Sequence, residues 1–172
     1  AGLETGKLLV LSLDKGLPVT EKTIAPPRGR TEIERLIDID AEPKIFGDTL
    51  YMVAYRGSIA AIDMRSGNLL WNRELSSYAG LDVDARQVYI SDETDAVLAL
   101  DRRNGGTLWK QAEMTGRRLS APVATDQHVV FGDFEGYLHW LSKDSGQIVG
   151  RIRAASKAIV APPLAAGNTV FV

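Results

Sequence analysis

Apolar residues along this chain come in short bursts separated by polar turns, without the three-to-four spacing of an amphipathic helix. Ser58–Asp63 reads SIAAID, with Ile59 and Ala61 on one alternating face and Ala60 and Ile62 on the other. A strand that is apolar on both faces is covered on both sides. Residues 96–100 and 7–11 carry the same pattern, so both are expected to be strands buried from either side. Each burst runs into polar residues and a glycine, as in Met64-Arg65-Ser66-Gly67, Arg102-Arg103-Asn104-Gly105-Gly106 and Lys143-Asp144-Ser145-Gly146. Such residues suit tight hairpins, and a second short run follows each one. Ahead of each hairpin lies another split pair: 44–46 and 50–54, 81–83 and 88–91, 122–124 and 129–132.

The unit is therefore four strands long, and it repeats. Residues 57–71 read GSIAAIDMRSGNLLW, with copies at 95–109, 136–150 and 6–20. The turn glycines Gly67, Gly105 and Gly146 stand 38 and then 41 residues apart. A four-stranded antiparallel unit with a period near 40 residues predicts an all-β fold, a β-propeller whose blades stack around an axis and cover each other's faces. The first copy supplies only the last two strands of a blade, and residues 161–172 match only the first two, so about four blades' worth of strands span 1–172. The period fails once. Gly6 and Gly57 are 51 residues apart, which places roughly a dozen extra residues in the segment 25–42, APPRGRTEIERLIDIDAE. Thr31 and Glu34 could form a capping box there, with Ile33, Leu36 and Ile37 sharing one face of a short helix. Overlong loops inside a compact repeat are often functional.

Composition narrows the chemistry. The chain has 172 residues, 45% of them hydrophobic and 24% charged, as in a globular domain. A net charge of -2 gives no general attraction to nucleic acid or an anionic membrane surface. No run approaches the roughly 20 apolar residues of a membrane-spanning helix. The absence of cysteine excludes disulfides, thiolate catalysis and cysteine metal ligands. The opening residues AGLETGKLLV fall inside a repeat and lack the pattern of a signal peptide, so the chain is expected to begin in mid-protein.

Candidate catalytic and metal-binding residues are few. His128 and His139 are the only histidines, and two without a third convergent ligand make a poor metal site. His139 falls on an inward strand position and is expected to be packed. Asp63 and Asp101 end strands beside hairpins, where aspartate accepts backbone N–H bonds. No phosphate-binding glycine loop stands at a strand-to-helix junction, and no Ser, His and Asp are spaced as a catalytic set. No catalytic residue, metal or cofactor is expected.

The pattern Ala61-x-Asp63-x-x-Ser66-Gly67-x-x-x-Trp71, repeated as Ala99-x-Asp101-x-x-Asn104-Gly105-x-x-x-Trp109, resembles the tryptophan-docking repeat of quinoprotein-like β-propellers, a PQQ-like or WD40-like repeat class. Three more specific stretches narrow the likeness. They are the segment 28–40 followed by Pro43, then Ala54-Tyr55-Arg56-Gly57, then residues 132–138, GDFEGYL. Together these are similar to the BamB family, lipoproteins of the machinery that inserts β-barrel proteins into the bacterial outer membrane. The resemblance implies an eight-bladed scaffold of which this chain is the C-terminal half, without enzymatic activity, held at the periplasmic face of the outer membrane. The lipid-bearing cysteine would lie outside the chain. It also implies that BamA, through its POTRA domains, is the partner, with nascent outer-membrane β-barrel proteins as further partners. Asp38 and Asp40 occupy the family's contact positions, and Arg35 would orient them or pair with the partner.

In this repeat Gly67 and Gly105 serve the turn, while Trp71 and Trp109 cover apolar area between blades. Where the tryptophan is missing, at Thr20 and Gly150, the small docking alanine is replaced by Val10 and Trp140. Trp140 is expected to restore volume lost at position 150. Alternating positions put Asp38 and Asp40 on one face of an extended segment, with Ile37 and Ile39 on the other. Two other readings stay open. One is a fragment of a quinoprotein dehydrogenase, whose relatives hold their cofactor with calcium and often adjacent cysteines. The other is a generic propeller interaction module. In any of them, unpaired blade edges would favour self-association of a half propeller.

Overall fold

The computed structural model describes residues 2–3, 7–23, 41–55 and 57–172. Every regular element among them is a β-strand. Three four-stranded antiparallel sheets follow one another along the chain. The first holds β4 (Lys44–Phe46), β5 (Thr49–Val53), β6 (Ser58–Asp63) and β7 (Leu69–Glu74). The second holds β8 (Gly80–Val83), β9 (Gln87–Ser91), β10 (Val97–Asp101) and β11 (Thr107–Gln111). The third holds β12 (Val123–Ala124), β13 (His128–Gly132), β14 (Tyr137–Ser142) and β15 (Ile148–Arg153). Strand order in each sheet is sequence order, so each is a meander of hairpins.

At the C-terminal end β16 (Leu164–Ala166) and β17 (Thr169–Phe171) form the two-stranded sheet the repeat predicts. The N-terminal sheet has one strand more than expected. Besides β2 (Lys7–Leu11) and β3 (Pro18–Thr23) it contains the two-residue β1 (Gly2–Leu3), which pairs with β2 at Gly2 and Leu8. A second difference lies in burial. β6 is buried on both faces as expected, whereas Val10 and Leu11 in β2 are 38% and 43% exposed because the described residues leave that sheet's faces uncovered.

The first strand of each blade packs on the first strand of the next, β4 on β8, β8 on β12 and β12 on β16. These strands therefore line the axis, with β7, β11 and β15 at the outer rim. Antiparallel order then divides the turns between two ends. First-to-second and third-to-fourth turns emerge at one end, and second-to-third turns and inter-blade links at the other.

The core lies between blades. Tyr51, Ala61 and Trp71 pack with Leu81, Val88, Leu98 and Leu100 of the next sheet. Tyr89, Ala99 and Trp109 repeat the arrangement against Leu119, Val129, Phe131 and Leu141. Each tryptophan stands across the hairpin from its alanine, Ala61 from Trp71 and Ala99 from Trp109, just before a register shift shared by both sheets. The indoles lie on the turn glycines of the following blade. Trp71 Nε1 donates to Arg102 O at 2.9 Å, and Trp109 Nε1 to Lys143 O at 2.7 Å. Burying a ring of this size contributes about 4–6 kcal/mol of apolar transfer, as an upper estimate.

The third junction is built differently. Trp140 is the cross-strand partner of Gly150, and it packs half-buried against the cluster of Val130, Leu138 and Ile159. The large side chain has moved from the fourth strand to the third.

Candidate partner-binding face

Asp38, Asp40 and Arg35, with the helix considered for 31–37, lie outside the described residues. The segment that carries them runs between β3 and β4 in the sequence. Ala41 is buried and stands beside Gly80, where an added Cβ would lie 3.6 Å from that of Ala41 and 3.4 Å from that of Ala121. Glu42 then pairs with Lys44 at 2.9 Å on the surface, and that hydrogen bond and the ammonium charge hold the Glu42 carboxyl below its usual range.

The second-to-third turns of the last two complete blades share one construction. Asp92 Oδ1 accepts the N–H of Thr94 at 2.8 Å and of Ala96 at 2.9 Å. In the next blade Asp133 Oδ1 accepts the N–H of Glu135 at 2.9 Å and of Tyr137 at 3.0 Å. Aspartate closes these turns by standing in for a backbone acceptor. Asp95 and Gly136 occupy the same turn position, both at positive φ. Asp95 adds ties of its own, accepting from Leu119 N and Tyr78 Oη, each at 2.9 Å.

Asp133 is the electrostatic centre of the third turn. Its carboxylate is fully buried, and Oδ2 accepts from Arg117 Nε, Arg117 Nη2 and His139 Nε2, each at 2.7 Å. Burial pushes its pKa up, but the bonds from His139, the Tyr137 N–H and Arg117 prevail and hold the carboxyl below its usual range. His139 is equally enclosed, stacked on Phe131 at 5.4 Å. Burial lowers its pKa below 6.5 against the pull of Asp133, so at neutral pH the ring is uncharged, with Nε2 donating and Nδ1 unpaired. Arg117 extends outward to Glu135 at 2.6 Å.

Tyr137 carries this network to the surface. Arg151 lies over its ring at 4.8 Å, with Arg117 and Arg153 each at 5.9 Å. Phe134, Tyr137, Arg153 and Ser156, with Glu135, line a recess of about 390 Å³. Phe134 and Tyr78 are half exposed at this end. The face thus offers aromatic and guanidinium groups on rigid turns, suited to gripping a macromolecule. Among the described residues no group of His, Asp and Glu converges as metal ligands, and the buried His139 and Asp133 have no access to a substrate.

The other singled-out residues take defined places. Ala61 and Ala99 are buried beneath their tryptophans. Asp63 Oδ1 accepts from Ser66 N at 2.7 Å, and Asp101 Oδ1 from Arg103 N at 2.8 Å. His128 opens β13, half-buried. Sequence reasoning marked the stretch 132–138, which holds Asp133 and Tyr137, only as a family likeness, assigned neither residue a role and passed over Arg117. The Asp-x-x-Asp-Ala and Asp-x-x-Gly-Tyr stretches at 92–96 and 133–137 repeat at the blade period, and that recurrence was the available signal.

Four-stranded antiparallel blades latched to one another by tryptophan define a repeat protein of the β-propeller class. The family model described as "Outer membrane protein assembly factor BamB" matches residues 1–111 and 93–172. The chain belongs to this family. An outer membrane protein assembly factor BamB of Pseudomonas aeruginosa is 42% identical over 172 residues, all of this chain and 45% of the relative. Its namesake in Escherichia coli is 34% identical over 171 residues, 99% of this chain and 44% of the relative. The crystal structure of BamB from Moraxella catarrhalis superposes with a TM-score of 0.88 at 30% identity, covering 96% of this chain and 49% of the other. The chain thus spans about half the length of the relatives it matches.

Proposed function

We propose that the chain is part of a non-enzymatic scaffold subunit of the β-barrel assembly machinery. In that role it holds BamA through its POTRA domains and aids insertion of β-barrel proteins at the periplasmic face of the outer membrane, lipid-anchored in the full-length protein. The observation that carries this reading is identity to a curated outer membrane protein assembly factor along the whole chain. The mechanism is positional. Blades locked together by buried tryptophans present the inter-blade link, whose Asp38 and Asp40 meet the partner while Arg35 orients them. Charges at an interface set encounter rate and register, and a desolvated one can cost a few kcal/mol when lost.

The test is a calorimetric titration of the purified chain with a BamA POTRA fragment. Asp38→Arg and Asp40→Arg are each expected to weaken binding by about tenfold or more, with melting temperature unchanged. Unchanged affinity would remove these residues from the interface. A wild-type chain that binds no POTRA fragment would overturn the reading.

A further inference from the structure

At the opposite end of the axis, a cleft of about 990 Å³ runs across the turns of three successive sheets, from Asp84 and Arg86 past Asp126 and Lys143 to Gly167. Its floor is a closed polar group. Lys143 pairs with Asp84 and donates to Thr125 O at 3.0 Å. Tyr89 Oη donates to Asp84 Oδ2 at 3.0 Å. The cation nearest the floor is therefore already neutralised.

What remains uncommitted has a definite polarity. Asp126 and Asp144 line the cleft, both exposed, and neither has an ion-pair partner among the described residues. Gln87, also in the lining, is only 7% exposed, and its Oε1 has no hydrogen-bond donor among the described residues. A buried amide oxygen without a partner is destabilising, and a ligand N–H would relieve that cost once the amide turns to meet it. Arg86 is the one lining cation free of an ion pair among the described residues. Its guanidinium can take main-chain carbonyls, which a free amine or a metal ion would not supply.

We infer that this cleft binds a short extended polypeptide segment carrying lysine or arginine, its cationic side chains placed between Asp126 and Asp144 and its main chain meeting Gln87 and Arg86. The site is separate from the aromatic and guanidinium face around Phe134 and Tyr137, which lies at the other end of the blades.

The probe is a fluorescein-labelled Lys-Val-Lys-Val-Lys amide, read by fluorescence polarisation on the purified chain beside its Glu-Val-Glu-Val-Glu counterpart. The lysine peptide is expected to saturate, and to weaken as salt rises from about 50 to 300 mM. The double variant Asp126→Asn with Asp144→Asn should lose about tenfold or more in affinity, and Gln87→Leu about threefold. Both aspartates are exposed, so the double variant should melt as the parent does. Arg153→Ala, at the other end, should leave peptide binding unchanged. Equal binding of the glutamate peptide, absence of saturation, or an unaltered affinity in the double variant would each overturn the inference.

Discussion

Replacing Gly146 by alanine should break one blade junction and nothing else. Gly146 has φ +70°, and a Cβ built there would lie 2.5 Å from Trp109 Cε3. Two penalties follow. The left-handed backbone costs an alanine about 1–2 kcal/mol. The methyl group must also displace the indole, an overpacking cost of about 1–3 kcal/mol, and shifting the ring threatens its 2.7 Å bond to Lys143 O, worth about 1 kcal/mol. The sum is about 3–6 kcal/mol. Gly47 supplies the control, since it has φ +59° with nothing within 4 Å of an added Cβ. Gly47→Ala should therefore cost only the backbone share, about 1–2 kcal/mol. Urea unfolding followed by far-ultraviolet circular dichroism, at one protein concentration, measures both. In a Trp109→Ala background the Gly146 penalty should shrink to that of Gly47, because the clash partner is gone. If Gly146→Ala and Gly47→Ala destabilise by the same amount within about 0.5 kcal/mol, the indole does not hold the junction and the docking argument fails.

Three further outcomes are expected. Asp133→Asn leaves one amide to serve both the turn N–H groups and the donors of Arg117 and His139, so it should cost about 3–5 kcal/mol in the same assay; a loss below about 1 kcal/mol would show that the network contributes little. His139 has a folded pKa below its ordinary 6.5, so its contribution is present above that pH and is lost as pH falls below it, with a slope of at most about 1.4 kcal/mol per pH unit. His139→Gln keeps a donor toward Asp133 without titrating, and should flatten stability between about pH 7 and 5; an unchanged slope would exclude His139 as the source. Finally, two- and three-stranded end sheets with free edges should drive the isolated chain to associate, visible as a concentration-dependent mass in light scattering, and a monomer at all concentrations would contradict this.

The blades were legible because both their signals are local. Turn glycines and paired apolar faces mark β6 and β10 from sequence alone, and the recurrence of Ala and Trp across one hairpin fixes the register. β1 escaped because two residues carry no periodicity, and its strand character comes from pairing with β2. The exposure of Val10 and Leu11 escaped for a related reason: a strand apolar on both faces reports what could cover it, and the cover belongs to a neighbouring sheet. At the candidate face the link could be counted from the broken period. The Asp133 network could not, since Arg117, Asp133 and His139 meet only after β13 and β14 pair, and no spacing rule connects them. The cleft was least legible of all, because its residues come from turns that look like ordinary polar punctuation.

The tryptophan latch reads main chain. Trp71 takes the carbonyl of an arginine and Trp109 that of a lysine, each over a glycine, so the identity of the residue that supplies the oxygen is immaterial. A connector specified by backbone shape leaves the sequence around it free to drift. Any blade ending in the same glycine turn would fit any blade bearing the indole, so such units could be duplicated, lost or exchanged between propellers without inventing a new joint. The third junction, where Trp140 faces Gly150, departs from that common gauge and accepts only its own neighbour.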